Sequence, residues 1–297
     1  MGVDPSRWGR LHEYEHQKLA MRRAIALFVE DKPHLLANSH WLYESWTHIK
    51  SDDTDLVFMG PETALEKLPD DVIKIVQRPA CDDPGWLDYV FINSLACLFD
   101  PSASMLNDYD ILLRSDLDIF LTPAWNRFYP SEFITGIGGY SNDDRVRENI
   151  QRIAHKFGLT HRSVTNIGTT IYGPAGLVIE ICRLATDLTR YIRTVEFKDH
   201  GGKWPSWYAG VSSLYATEIA VNHLVPSLQA PSKLLGYYST SVESVDEHPH
   251  IHVWHGDALF SKFQCYEGTY DNMDESNLNL DIINEYCVAM ALRARRR

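Results

Sequence analysis

The stretch Tyr109-Asp110-Ile111-Leu112-Leu113-Arg114-Ser115-Asp116-Leu117-Asp118-Ile119-Phe120-Leu121-Thr122-Pro123 sets two carboxylates two residues apart between two apolar runs. Short apolar runs bounded by polar and turn residues read as buried strands. In extended backbone, residues i and i+2 face the same side, so Asp116 and Asp118 are placed to converge on one cation. Carboxylate oxygens are hard ligands suited to Mg²⁺ or Mn²⁺, and such an ion bridges a diphosphate. The alternative for an isolated Asp-x-Asp is a turn whose aspartates cap backbone groups.

Upstream of this motif the pattern alternates. Ala24-Ile25-Ala26-Leu27-Phe28-Val29 reads as a buried parallel strand, and Leu35, Leu36, Trp41, Leu42, Trp46 and Ile49 recur at helical spacing. Asp55 to Pro61 reads as a second strand with a Gly-Pro stop, Glu62 to Leu68 as a short helix, and Val72 to Val76 as a third strand. Trp86 to Phe99 predicts a mostly apolar helix, and Asp110 to Leu113 a fourth strand. This alternation predicts an α/β fold with a mainly parallel sheet, helices on both faces, and ligands at the carboxyl ends of the strands. The second half is less regular. Gly/Pro/Trp-rich loops are expected around 136–142, 166–174 and 200–210, helices near 175–192 and 211–224, and a strand near 251–254. Residues 1–22 are charged and have a helical look. With no internal repeat or low-complexity linker, residues 1–297 read as one large domain whose part from about 136 to 297 adds substrate-binding loops.

Of 297 residues, 44% are hydrophobic and 23% charged, which excludes wholesale disorder and collagen-like or coiled-coil classes. A net charge of −12 repels polyphosphates, so nucleic acid is not an expected partner. No apolar run reaches the roughly 18 to 20 residues that span a bilayer, and residues 1–20 have no signal-peptide core. A soluble, intracellular, cytoplasmic protein is the expectation. Cys81, Cys97, Cys182, Cys265 and Cys287 are widely spaced with no Cys-x-x-Cys pair, as buried thiols in a reducing compartment would be. The dinucleotide Gly-x-Gly-x-x-Gly and Walker lysine patterns are missing.

On Asp116 and Asp118, and on the strand that precedes them, the chain resembles the metal-dependent nucleotide-sugar glycosyltransferases of GT-A fold, with a Rossmann-like sheet. The resemblance follows the order of elements over about 22–135, the nucleotide-sugar-binding half. It implies that Asp116 and Asp118 hold Mn²⁺ or Mg²⁺ against the diphosphate of a UDP-sugar, with Asp118 the more direct ligand. It also implies that the first strand, around Phe28 and Val29, receives the uridine. Near the C-terminus, His255, Gly256 and Lys262 resemble the late histidine, glycine and lysine with which several GT-A families close the metal site, although the usual His-x-x-Gly spacing is not kept. An imidazole adds a neutral ligand, glycine lets backbone approach the diphosphate, and lysine offsets its charge. His248, His250 and His252 share one strand face and read as surface or hydrogen-bonded core histidines, although alternating histidine is also a zinc-ligand spacing.

For the acceptor, Trp204, Trp207 and Tyr208 sit in a loop with Gly201, Gly202 and Gly210, where aromatic faces either stack on sugar C–H surfaces or plug the core. Val211, Leu214, Tyr215, Glu218, Ile219 and Asn222 then follow helical spacing, which puts Glu218 on the apolar stripe. An inverting reaction needs a carboxylate to take the acceptor proton, and partial burial raises its pKa toward a useful range. Glu218 is the expected base, with Asp257 and Asp199 in reserve. Asn166 and Thr169 are candidates for positioning donor hydroxyls or phosphate. The expected function is transfer of a sugar from a UDP-sugar to a glycan acceptor. The Trp204/Trp207 loop and the run His252 to Gly256 resemble glycosyltransferases of large algal viruses (chloroviruses), including xylosyltransferases, and UDP-xylose is named on that resemblance alone. Two other readings stand beside it: a zinc-dependent hydrolase built on the C-terminal histidines with Asp257, and a non-catalytic carbohydrate-binding protein.

Overall fold

Ala24, Ala26 and Phe28 pack into one core layer, and Ile25 and Leu27 into another, so the strand Arg23–Phe28 (β1) is buried on both faces. Each of Ile25, Leu27 and Phe28 contributes about 1.5–3 kcal/mol by leaving water, which favours a mid-sheet place for β1. The computed structural model describes residues 21–254, 256 and 259–297. Around β1 run helix α1 (Pro33–Ile49), β2 (Thr54–Gly60), β3 (Ile73–Val76) and β4 (Ile111–Arg114). Then come β5 (Ile119–Leu121), β6 (Ile134–Ile137), α2 (Asp144–Lys156), β7 (Ile167–Pro174) and α3 (Ala175–Tyr191). The chain closes with α4 (Ser212–Leu224), β8 (Tyr237–Tyr238), β9 (His250–His252) and α5 (Ile283–Arg296).

The main sheet has the order β3-β2-β1-β4-β7-β6. The β1, β2, β3 and β4 pairings are parallel, while β7 runs antiparallel to both β4 and β6. This is the mixed, mainly parallel α/β sheet flanked by helices that the alternation predicts. Strands from both halves of the chain share it. A second sheet, β5-β9-β8, joins the segment after β4 to the late histidines.

Local rules account for the element ends. Pro33 starts α1, where its missing N–H costs nothing, and Lys50 closes it in the left-handed region at φ 50°. Asp143 caps α2 by accepting from the Val146 amide at 3.3 Å. At the foot of the sheet the buried Arg23 guanidinium donates to Asp53 at 2.6 Å and to the carbonyls of Trp125 and Phe128 at 3.2 and 3.0 Å.

Two expectations are corrected. The segment Trp86 to Phe99 is not one helix but short turns with a single α-helical turn, Asn93–Ala96, because Leu87 and Asp88 adopt φ of 51° and 57° and interrupt the hydrogen-bond ladder. The stretch 166–174, expected as a loop, is almost wholly strand β7. Among the described residues no helix is long and apolar enough to cross a membrane.

Candidate active site

β4 delivers the two aspartates. Its end is braced by Ser115, whose hydroxyl hydrogen-bonds Thr170 of β7 at 2.7 Å, and by Arg114, which donates to the Thr169 carbonyl and to Ser94. Asp116 and Asp118 follow in the link to β5, while Leu117 between them packs into the core. Ile119 of β5 pairs with His252 of β9, and the Val253 amide donates to the Asp118 carbonyl at 2.9 Å. That register carries the His252 ring to the carboxylates. Its Nε2 lies 3.3 Å from Asp118 Oδ1 and 3.7 Å from Asp116 Oδ2. The ligand atoms of Asp116, Asp118 and His252 all lie within 4.8 Å of one another. Two carboxylates and one imidazole form a donor set that fits a Mn²⁺- or Mg²⁺-sized ion.

Lys262 opens the short helix Lys262–Tyr266, and its Nζ donates to Asp118 Oδ2 at 2.7 Å. Burial by itself would raise the Asp118 pKa, but His252 and Lys262 outweigh it and hold the carboxyl well below the usual carboxylate range. Burial likewise opposes charge on His252, and Asp118 overrides it, so the imidazole sits above its ordinary value.

Asp116, Asp118 and Lys262 line a cleft of about 570 Å³ at the carboxyl end of the sheet. Phe28, Glu30 and Lys32 also line it, as do Val90, Phe91, Asn93 and Ser94 from the broken helix. A neighbouring cavity of about 640 Å³ shares His34 and Tyr266 with the cleft, but its Asp31 is ion-paired with Lys67 and its Arg295 with Asp271. The cleft that holds Asp116 and Asp118 is therefore the candidate site.

A loop after β6 brings Tyr140 within electrostatic reach of the carboxylates. Burial, together with the Asp116 and Asp118 carboxylates, pushes the Tyr140 hydroxyl up to about 12, and the Tyr140 ring meets Trp204 edge-on at 5.9 Å. The loop is clamped from behind. Ser141 Oγ donates to Glu218 Oε2 at 2.7 Å, Asn166 Oδ1 accepts from the Ser141 amide at 2.9 Å, and Arg147 donates to the carbonyls of Ser141 and Asn142 at 2.9 and 2.6 Å.

The remaining expected site residues are placed unevenly. Phe28 lines the cleft, whereas Val29 is fully buried in the core. Asn166 and Thr169 brace the Ser141 loop and Arg114, and neither lines the cleft. Gly256 is exposed, with Thr240 beside it. Trp204 is 46% exposed and Tyr208 37%, but Trp207 is 6% exposed and stacked between Phe197 and Tyr215, so it serves as a core plug. Glu218 is 3% exposed and sits one layer behind the cleft. Burial pushes its carboxyl up to about 7, and its Oε1 lies 3.8 Å from His161 Nε2. His255 and Asp257 lie outside the described residues. The alternate histidines do not converge: His248 pairs with Glu243 at 2.7 Å and stacks on Tyr237, while His250 Nδ1 accepts from the buried Gly236 amide at 2.9 Å. Only His252 of the three reaches the carboxylates. Sequence reasoning did not single out Tyr140.

The family described as domain of unknown function (DUF7164) matches residues 17–296. The chain belongs to that family. No curated protein matches this DUF7164 chain in sequence. Among solved structures, the galactosyltransferase LgtC in complex with donor and acceptor sugar analogs is similar at 11% identity and a TM-score of 0.45, over 86% of this chain and 98% of that one. A structure of an active-site mutant of LgtC is similar at 9% identity and a TM-score of 0.42, over 89% and 83% of the two chains.

Proposed function

We propose that this DUF7164 chain is a glycosyltransferase of GT-A type that moves a sugar from a UDP-sugar to a glycan acceptor with the help of Mn²⁺ or Mg²⁺. One observation carries the reading: Asp116, Asp118 and His252 converge beyond the carboxyl end of a central strand, and the two aspartates line a cleft large enough for a nucleotide sugar. These three residues would hold the ion, with His252 supplying an imidazole ligand. A bound divalent cation supplies Lewis-acid stabilisation of the leaving diphosphate.

The chain's own groups do the rest. Phe28, at the end of β1, meets the donor base, and Lys262 offsets charge on the phosphates. Trp204 and Tyr208, the exposed aromatics of the 201–210 loop, take the acceptor, and Tyr140 closes the flank between them and Asp116. Glu218 is assigned to holding that loop and not to taking the acceptor proton. One of its oxygens is covered by Ser141 and the other faces His161, so no acceptor hydroxyl reaches it.

The test is a donor-hydrolysis screen of UDP- and GDP-sugars with Mn²⁺, UDP-xylose included, run beside Asp118→Ala. Slow hydrolysis of one UDP-sugar that the variant loses is expected. Equal turnover by both proteins removes Asp118 from the mechanism.

A further inference from the structure

Lys262 and a divalent cation need the same carboxylate. Lys262 Nζ sits 2.7 Å from Asp118 Oδ2, and the other oxygen of that carboxylate lies 3.3 Å from His252 Nε2, so both oxygens are already facing cationic or polar hydrogens. Lys262 and Asp118 are mostly buried, with side chains 19% and 12% exposed, so the pair is poorly screened by solvent. An ammonium and a divalent ion held by one poorly screened carboxylate repel each other strongly at such short range. Lysine is also a mobile point charge on a four-carbon stem, able to swing within the cleft it lines. Lys32, which also lines the cleft, is tied to Glu30 at 2.7 Å, so of the two lysines described there it is Lys262 that meets the carboxylates.

We propose that Lys262 is a placeholder cation: it neutralises Asp118 in the ligand-free protein and leaves for the donor diphosphate when a divalent ion is bound. The inference rests on the metal-dependent reading above and adds an order to it. Metal alone binds weakly, because Lys262 must give up its partner with nothing to receive it. With a nucleoside diphosphate present, the ammonium moves from one anion to another, and metal and nucleotide strengthen each other's binding.

The experiment is a Mn²⁺ titration, followed by calorimetry and by the electron paramagnetic resonance signal of free Mn²⁺, of wild type, Lys262→Met and Lys262→Arg, without and with UDP. Without UDP, Lys262→Met is expected to bind Mn²⁺ about tenfold more tightly than wild type, while Lys262→Arg, which keeps the charge, stays as weak as wild type. With UDP, wild type gains more Mn²⁺ affinity than Lys262→Met does. Equal or weaker Mn²⁺ binding by Lys262→Met overturns the placeholder role and leaves the metal site standing. No Mn²⁺ binding by any of the three proteins, with or without UDP, overturns both.

Discussion

Ser141 Oγ donates to Glu218 Oε2 at 2.7 Å and accepts from the Asn166 amide at 2.7 Å, so a hydroxyl on the loop that carries Tyr140 is locked between α4 and the start of β7. In the proposed function the buried carboxylate acts on the acceptor side through that loop. Its energetic signature and its kinetic signature can be separated.

The energetic one is a pH slope. Burial raises the Glu218 carboxyl to about 7, against about 4.3 for an unfolded glutamate. A raised folded-state pKa favours the folded form fully below the unfolded value, and that favour is lost as pH rises through the folded value. Wild type should therefore lose about 3 kcal/mol from this group between pH 4.5 and 7.5. Glu218→Gln keeps a contact to Ser141 without titrating, so its Tm should fall less over the same range. Parallel Tm curves would count against the assignment.

The kinetic one separates positioning from proton transfer. If Glu218 only holds the Ser141 loop, Glu218→Gln should keep transfer within about threefold of wild type, whereas loss of a general base costs about 10²–10⁴-fold. Glu218→Ala, which frees the loop, should raise KM for the acceptor more than it lowers kcat. A collapse of kcat in Glu218→Gln, with UDP affinity intact, would restore it as the base.

Arg23 is the buried charge that ties β1 to the segment after β5. Arg23→Ala leaves Asp53 with only the hydroxyls of Ser51, Thr54 and Tyr129 and takes one donor from each of two carbonyls, and removal of one partner from a buried pair costs about 3–5 kcal/mol. Urea unfolding should show that loss, and a change below about 1 kcal/mol would mean that water replaces the guanidinium.

The two tryptophans of the 201–210 loop should part company. Trp207→Ala removes the middle of the Phe197–Trp207–Tyr215 stack and should destabilise the fold by about 3–5 kcal/mol. Trp204→Ala, at an exposed position, should leave stability within about 1 kcal/mol and weaken acceptor use. Equal stability losses in the two variants would refute the division.

Periodicity made β1 to β4, α1, α3 and α4 legible, because each carries a long or clean apolar pattern ended by Gly, Pro or charge. It also put Asp116 and Asp118 together. It did not bring His252 to them, since that depends on the Ile119–His252 register between strands far apart in sequence, which alternation alone does not encode. Trp207 and Trp204 are the same residue type three positions apart, and only packing tells plug from platform. The helix expected over Trp86 to Phe99 failed at Leu87 and Asp88, whose left-handed backbone has no glycine to announce it. Tyr140 was missed for a related reason, because a lone tyrosine in a glycine-rich loop has no pattern.

The central claim is that Asp118 grips a cation that grips a pyrophosphate, and mutual stabilisation measures it most directly. Thermal unfolding of wild type and Asp118→Asn is followed with Mn²⁺, with UDP, and with both. The account predicts that the two ligands together raise the wild-type Tm by more than the sum of their separate effects, and that Asp118→Asn loses this excess. Merely additive shifts in wild type, or the same excess in the variant, would contradict it.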